Sequence, residues 1–364
     1  SMTEAQPGWC TNVLPTRSIA ELANTLEMMS NGLPSNTPVG LWLPDTMLKE
    51  NPAIAVQPLA ECLQRLGRSL LGFNAFPVGD FHQKRVKDAV YQPAGDQPAR
   101  LASTLRAAEA MIALSSPGCD LCLTTVPVGW PSHQVDLKRA VSMLHEACEA
   151  LNELGRAHNR TLALAIEPEP RCIIPTARSF TEFVANTPLE GAVANGSLRV
   201  CLDACHLAVE DESPEEAVNC LTQAGIQIGR VQVSSAPEAD TPAAIAAMLA
   251  LDEARWMHQT LVDSESGRKI FNDLSEAQQC PHVGLWRTHF HVPVHRTSFG
   301  DLKTTQAWIG RLLHAVAATD QRPPVEVETY AWDVLPESYR CATLQDEIRR
   351  ELEWTSQVMR EVGW

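Results

Sequence analysis

The chain has 364 residues, a formal net charge of −15 and 45% hydrophobic residues. That length and apolar share suit a globular protein with a sizeable core, and the acidic balance argues against a dedicated nucleic-acid surface, which needs clustered Lys and Arg. No apolar run approaches the roughly 20 residues needed to span a bilayer, and no charged segment followed by an apolar one reads as a signal peptide.

The eleven cysteines are odd in number and scattered, as expected of reduced thiols in the cytoplasm rather than a disulfide framework. Ser1-Met2 reads as a cloning remnant. The first apolar strand is predicted over 8–14 (GWCTNVL), followed by a helix over 18–29 (SIAELANTLEMM) and a strand over 39–43 (VGLWL). A second amphipathic helix is expected over 58–70, running into a third strand over 70–76 (LLGFNAF). Residues 93–98, with Gly95 and Asp96 between prolines, mark a long loop before the next helix, 100–114. Cys119 and Cys122 form a CxxC at the start of the fourth strand, 120–126. No second pair follows, so they read as buried thiols.

A helix over 137–158 precedes the fifth strand, 162–168 (LALAIEP), and strands at 199–205 (RVCLDAC), 229–235 (GRVQVSS) and 324–330 (PVEVETY) complete eight. Apolar residues recur at i, i+3, i+4 and i+7 in the helices between them. Strand and helix alternating eight times predict a closed (β/α)8 TIM barrel, one α/β domain over 1–364. An open doubly wound sheet is second, without a Gly-rich phosphate loop to support a nucleotide version. About ninety residues separate the last two strands. They hold a helix expected over 241–262 and the segment 286–295 (WRTHFHVPVH), so an insertion at about 237–296 is expected to cross the barrel mouth. Residues 346–359 read as a closing amphipathic helix.

Several strands finish in polar groups. TLALAIEPEP ends an aliphatic run in Glu167 and Glu169. Alternation places Ala163, Ala165 and Glu167 on one face and Leu162, Leu164 and Ile166 on the other. Asp203 shares a face with Cys201, Gln232 with Ser234, and Glu328 with Glu326 and Tyr330. In a barrel all strands run the same way, so these ends converge on one mouth, where active sites of this fold lie. Taken alone, Asp203 caps the next helix, and His206 is a core histidine with its hydrogen bonds satisfied. Taken together, three carboxylates in a half-buried cavity repel one another and lose hydration, and they need a cation or raised pKa values. One divalent metal, Mn, Mg, Co or Zn, held by Glu167, Asp203, Glu328 and an imidazole is the simplest compensation. His289 and His291, two apart in an extended segment, supply the imidazole.

At these residues the chain resembles the xylose isomerase-like superfamily of barrels, which includes sugar isomerases, tagatose-type epimerases and endonuclease IV. The phrases GWCTNVLP, GFNAFPVGDFH, EPEPRC, CLDACHLAVE, VQVSSA, HFHVPVH and VEVETYAWDVLP look like the EboE-type metabolite traffic proteins of that superfamily, over nearly the whole chain. The resemblance implies metal ligation by Glu167, Asp203 and Glu328. The epimerase pattern has a histidine after strand seven where this chain has Gln232, so Gln232, His289 or His291 completes the shell. Endonuclease IV also needs histidines after strands three and four. Here those positions read Asn74-Ala75-Phe76 and Thr125-Val126-Pro127, which with the charge argues against abasic-site cleavage and for one metal.

The chemistry expected is isomerisation or epimerisation of a small-molecule sugar, cyclitol or related polyol. Glu167 and Glu328 act as the acid/base pair. His206, Glu169 and Arg171 grip substrate oxygens, and Trp42, Phe76 and Trp130 form an apolar wall. The alternatives are a metal-assisted hydrolase of a phosphorylated or acylated metabolite, and a binding protein without turnover. A homo-oligomer is open in either case.

Overall fold

In the computed structural model, which describes residues 5–364, eight parallel strands close on themselves: β1 (Gly8–Cys10), β2 (Val39–Leu41), β3 (Leu70–Asn74), β4 (Asp120–Thr125), β5 (Thr161–Ile166), β6 (Leu198–Asp203), β7 (Ile228–Val233) and β14 (Val325–Val327). The hydrogen-bonded order is β1-β14-β7-β6-β5-β4-β3-β2, a closed barrel with helices between the strands. Ser1-Met2 lies outside the described residues.

Outside the interval between the last two barrel strands, the expected helices form within a few residues of where the periodicity placed them, and their ends have local causes. Ser18 accepts the backbone N–H of Glu21 and starts the helix Ile19–Ser30. The helix expected over 58–70 is Gln57–Leu66. Gly67 ends it at φ 63°, a left-handed turn that costs glycine little, and frees Leu70 to begin β3. The closing helix is Leu344–Glu361, capped by Thr343.

Each barrel strand separates two environments. On β5, Leu162, Leu164 and Ile166 join the large apolar core under the outer helices, while Ala163 and Ala165 pack inside with Cys122 and Cys201. Barrel interiors of this type are usually filled by Val, Ile and Leu. Here the interior also holds a fully buried Arg230 and Glu326. Arg230 donates from Nη2 to the Cys122 carbonyl at 2.8 Å and holds Nη1 3.7 Å from Glu326 Oε1. Gly40 and Gly72 make the room, because a Cβ on the first would overlap Glu326 and a Cβ on the second would overlap Arg230. All eleven cysteines are free thiols, Cys119 and Cys122 included.

The interval between β7 and β14 is more than a loop. It contains β8 (Pro237–Ala239), β9 (Thr260–Ser264), β10 (Gly267–Phe271), β11 (Leu285–Thr288), β12 (Ser298–Phe299) and β13 (Leu302–Thr304). They form an antiparallel sheet of order β10-β9-β11-β8-β13-β12. The helix expected over 241–262 is confined to Pro242–Leu249. Beyond it, the Glu253 carboxylate accepts the backbone N–H groups of Arg255 and Trp256, a local turn that competes with helix. Thr260–Ser264 then pairs with β10 and β11, so strand pairing overrides the helical period.

The Arg230–Glu326 pair makes a stability prediction. Arg230→Met should destabilise the fold by about 3–5 kcal/mol in urea unfolding, because Glu326 is left buried without its cation. Adding Glu326→Leu should recover most of that loss. A double variant no more stable than the single one would mean that the pair does not hold this interior.

Candidate metal and acid/base site

Inward parity carries Glu167, one residue past β5, to the barrel mouth with only 4% exposure. Asp203 ends β6 and Glu328 follows β14 directly. One oxygen from each of the three carboxylates lies within 4.8 Å of the others. The cap expected of Asp203 is present. Its Oδ1 caps the helix Ala204–Glu210 by accepting the His206 N–H at 3.1 Å and the Ser234 hydroxyl at 2.5 Å. Its Oδ2 is buried with no hydrogen-bond partner among the described residues.

Glu328 is divided in the same way. Asn12, on the turn after β1, donates to Oε1 at 3.2 Å, and Oε2 has no partner among the described residues. His291 arrives from the inserted segment, held where Val292 donates to the Ser235 carbonyl at 2.9 Å. Its Nδ1 donates to the Glu328 carbonyl at 3.0 Å. That bond puts the lone pair on Nε2, a buried atom without a partner among the described residues and 3.9 Å from Asp203 Oδ2.

Burial is the main cause of the electrostatic strain. It pushes the Glu167 carboxyl well above its ordinary pKa, and the charges of Glu328, Asp203 and Glu169 push the same way. Glu328 is raised well above its ordinary value by burial, then by Asp203 and Glu326, and Asn12 opposes the shift. Glu169 is pushed up to about 7, again chiefly by burial. Burial lowers His291 to about 4, which keeps its imidazole neutral and able to ligate.

A cavity opens above the carboxylates. Asn12, Asn74, Glu167, Glu328 and His206 line its polar part, and Phe76, Phe81, Trp256, Met257 and Tyr330 line its apolar part. A hydrogen-bonded chain runs along one side. His206 donates from Nδ1 to the Pro168 carbonyl at 3.0 Å, and its Nε2 meets His289 Nε2 at 3.1 Å. His289 Nδ1 lies 2.7 Å from Gln259 Oε1; Gln259 Nε2 donates to the Tyr91 hydroxyl at 2.7 Å, which donates to Glu169 Oε1 at 3.0 Å.

The structure brings Glu167, Asp203, Glu328, His206, His289, His291, Glu169 and Phe76 to this end of the barrel. Gln232 sits beside Glu326 and donates to its carboxylate at 3.3 Å, within the barrel interior. Trp42 is buried, with Nε1 donating to the Pro77 carbonyl at 2.9 Å, and does not line the cavity. Trp130 lies flat against Tyr91 at 5.0 Å and is likewise absent from the lining. Arg171 is exposed and bonded to Asn272 at 2.7 Å, so its guanidinium is committed outside the cavity. Sequence reasoning missed Asn12, Tyr91, Gln259, Trp256 and Met257. Asn12 shares strand parity with Cys10, which would have found it; the others depend on how two loops fold together.

No family model matches the chain, and no curated protein matches it. Solved structures do. One is an L-ribulose 3-epimerase at 12% identity, with a TM-score of 0.53 over 98% of this chain and 95% of that one. A second is the D-psicose 3-epimerase of Clostridium cellulolyticum H10 with D-tagatose, at 13% identity and a TM-score of 0.52, covering 98% and 99%. A third is a xylose isomerase domain protein from Alicyclobacillus acidocaldarius, at 12% identity and a TM-score of 0.51, covering 99% of each chain. At these identities the likeness is one of fold: this chain, like those proteins, is a (β/α)8 barrel.

Proposed function

We propose that the protein is a metal-dependent isomerase or epimerase of an unphosphorylated sugar, cyclitol or related polyol. The observation that carries this reading is a pair of buried groups that share Asp203, Glu167-Asp203-Glu328 and Asp203-His206-His291, in which Asp203 Oδ2, Glu328 Oε2 and His291 Nε2 have no hydrogen-bond partner among the described residues. Two carboxylates and a neutral imidazole of fixed tautomer, with a third carboxylate in reach, fit a divalent ion such as Mn, Mg, Co or Zn. We therefore assign the imidazole ligand to His291 rather than to His289 or Gln232. When bound, the ion would polarise a carbonyl and the hydroxyl beside it.

The chain's own residues supply the proton transfers. Glu167 and Glu328 serve as the acid/base pair about the carbon between those oxygens, one removing its proton and the other returning one. Burial raises the pKa of both, which makes each carboxylate a stronger base than an exposed one. Asn12 fixes the Glu328 carboxylate, His206 binds a substrate hydroxyl, and Glu169 with Tyr91 binds one further out. Trp256, Met257, Phe81 and Tyr330 keep water from the reacting carbon.

The printed names of the two epimerases of like fold agree with this reading. A phosphorylated substrate does not suit the cavity, since no Lys or Arg among the described residues lines it and Lys87 is paired with Asp273 at 2.7 Å. The EboE-like phrases favour a place in metabolite biosynthesis or traffic, and the free thiols suit the cytoplasm.

The first test is solvent-deuterium incorporation at a carbon of a bound polyol, read by mass spectrometry with each ion supplied. Glu167→Gln should lower the exchange rate about 10²–10⁴-fold with the fold intact. Binding of polyols without any exchange would favour a carrier instead. A second test separates the two roles of Asp203. Asp203→Asn keeps the helix cap and should lose the ion, whereas Asp203→Ala should lose the ion and about 1 kcal/mol of stability. Metal content unchanged in both variants would remove the assignment.

The third test is pH. Glu167 and Glu328 have raised pKa values, so protons occupy them at lower pH and the ion must displace those protons. Affinity should weaken as pH falls through the raised pKa values of these carboxyls, by about tenfold per pH unit for each proton displaced. A flat profile in calorimetry would contradict the assigned ligands.

A further inference from the structure

Glu328 and His291 stand past the ends of their strands, β14 at Val327 and β11 at Thr288, and Glu328 keeps one backbone bond to the barrel, its N–H donating to the Val233 carbonyl at 3.1 Å. Their mutual spacing depends on what grips those two segments. The closing helix Leu344–Glu361 carries two glutamates one turn apart, Glu347 and Glu351, and both residues are fully buried. Burying a carboxylate is costly unless its oxygens are bonded, and both glutamates are bonded to the segments in question.

Glu351 Oε1 accepts the Thr329 hydroxyl at 3.1 Å, and its Oε2 accepts the Val294 N–H at 3.1 Å. Thr329 follows Glu328 directly, and Val294 lies three residues after His291. One rigid group therefore clamps both segments from behind, while the His291 Nδ1 bond to the Glu328 carbonyl links them in front. Glu347 extends the clamp, accepting from His295 Nε2 at 2.8 Å and from the Cys341 N–H at 2.9 Å. An apolar side chain would fill the same space without fixing the spacing.

We propose that Glu351 is a positioning residue, whose carboxylate sets the separation of Glu328 and His291 from the outer helix. The proposal rests on the reading of those two side chains as metal ligands. Removal of such an outer-shell bond typically costs 10–100-fold in metal affinity.

The test measures Mn²⁺ dissociation constants and thermal midpoints without metal, on the full chain. Glu351→Leu, which keeps the volume and removes both bonds, should weaken Mn²⁺ binding about 10–100-fold. Glu351→Gln, which keeps an acceptor for Val294, should restore most of the affinity. A Glu351→Leu variant that binds Mn²⁺ as the unaltered chain does would overturn the proposal, whatever its thermal midpoint. If that variant does not fold, Thr329→Val decides, since it keeps the side-chain volume and removes one of the two bonds of the clamp. Weaker binding supports the proposal and equal binding overturns it. An unaltered chain that binds none of Mn²⁺, Mg²⁺, Co²⁺ and Zn²⁺ would overturn the metal reading, and this inference with it, which is a different result from equal affinities.

Discussion

Crowding of negative charge in a low-dielectric cavity is the constraint on which this structure turns. Glu167, Asp203 and Glu328 meet within 4.8 Å, and each is nearly or fully shielded from water. Mutual repulsion and lost hydration oppose ionisation of all three, and the raised pKa values of Glu167 and Glu328 express that cost. The protein answers it in part by hydrogen bonds to one oxygen of a group while leaving the other free. Asp203 and Glu328 are both treated in this way, by His206 and Ser234 in one case and Asn12 in the other.

The barrel beneath the site serves the same end. Cys122, Ala163, Ala165 and Cys201 are small, and glycines at 40 and 72 leave room for Arg230 and Glu326 inside the sheet. Arg230 brings a permanent positive charge beneath the mouth, and it pulls the pKa of Glu167 and Glu328 downward against the stronger effect of burial. The small side chains of the interior thus have an electrostatic consequence: they admit a guanidinium where a Val- and Leu-filled barrel would exclude one.

The segment inserted between β7 and β14 does two jobs that the barrel strands leave undone. It supplies His291, whose Nδ1 is committed to the Glu328 carbonyl, and it roofs the cavity with Trp256 and Met257. Lys87, on the segment after β3, bonds the Glu253 and Trp256 carbonyls and the Asp273 carboxylate, which ties that roof to the barrel. A site assembled from strand ends, an insertion and a closing helix depends on several segments keeping one spacing. That dependence explains why a buried glutamate on the outermost helix bonds both segments.

Read without coordinates, the residues were enough for the barrel and its acidic mouth. Eight apolar runs alternating with amphipathic helices dictate a parallel sheet, and period-two alternation dictates that Glu167 shares the inner face with Ala163 and Ala165. These are local properties, set by each segment's own pattern. Tertiary structure decided the rest. Whether 241–262 stayed helical depended on strands that could pair with Thr260–Ser264, and whether Gln232, His289 or His291 stood nearest Asp203 depended on where the inserted segment crossed the mouth. Trp42, Trp130 and Arg171 took their partners from distant loops, outside the cavity. Periodicity is a property of neighbours in sequence, whereas ligand choice and cavity lining are set by contacts between residues far apart in the chain.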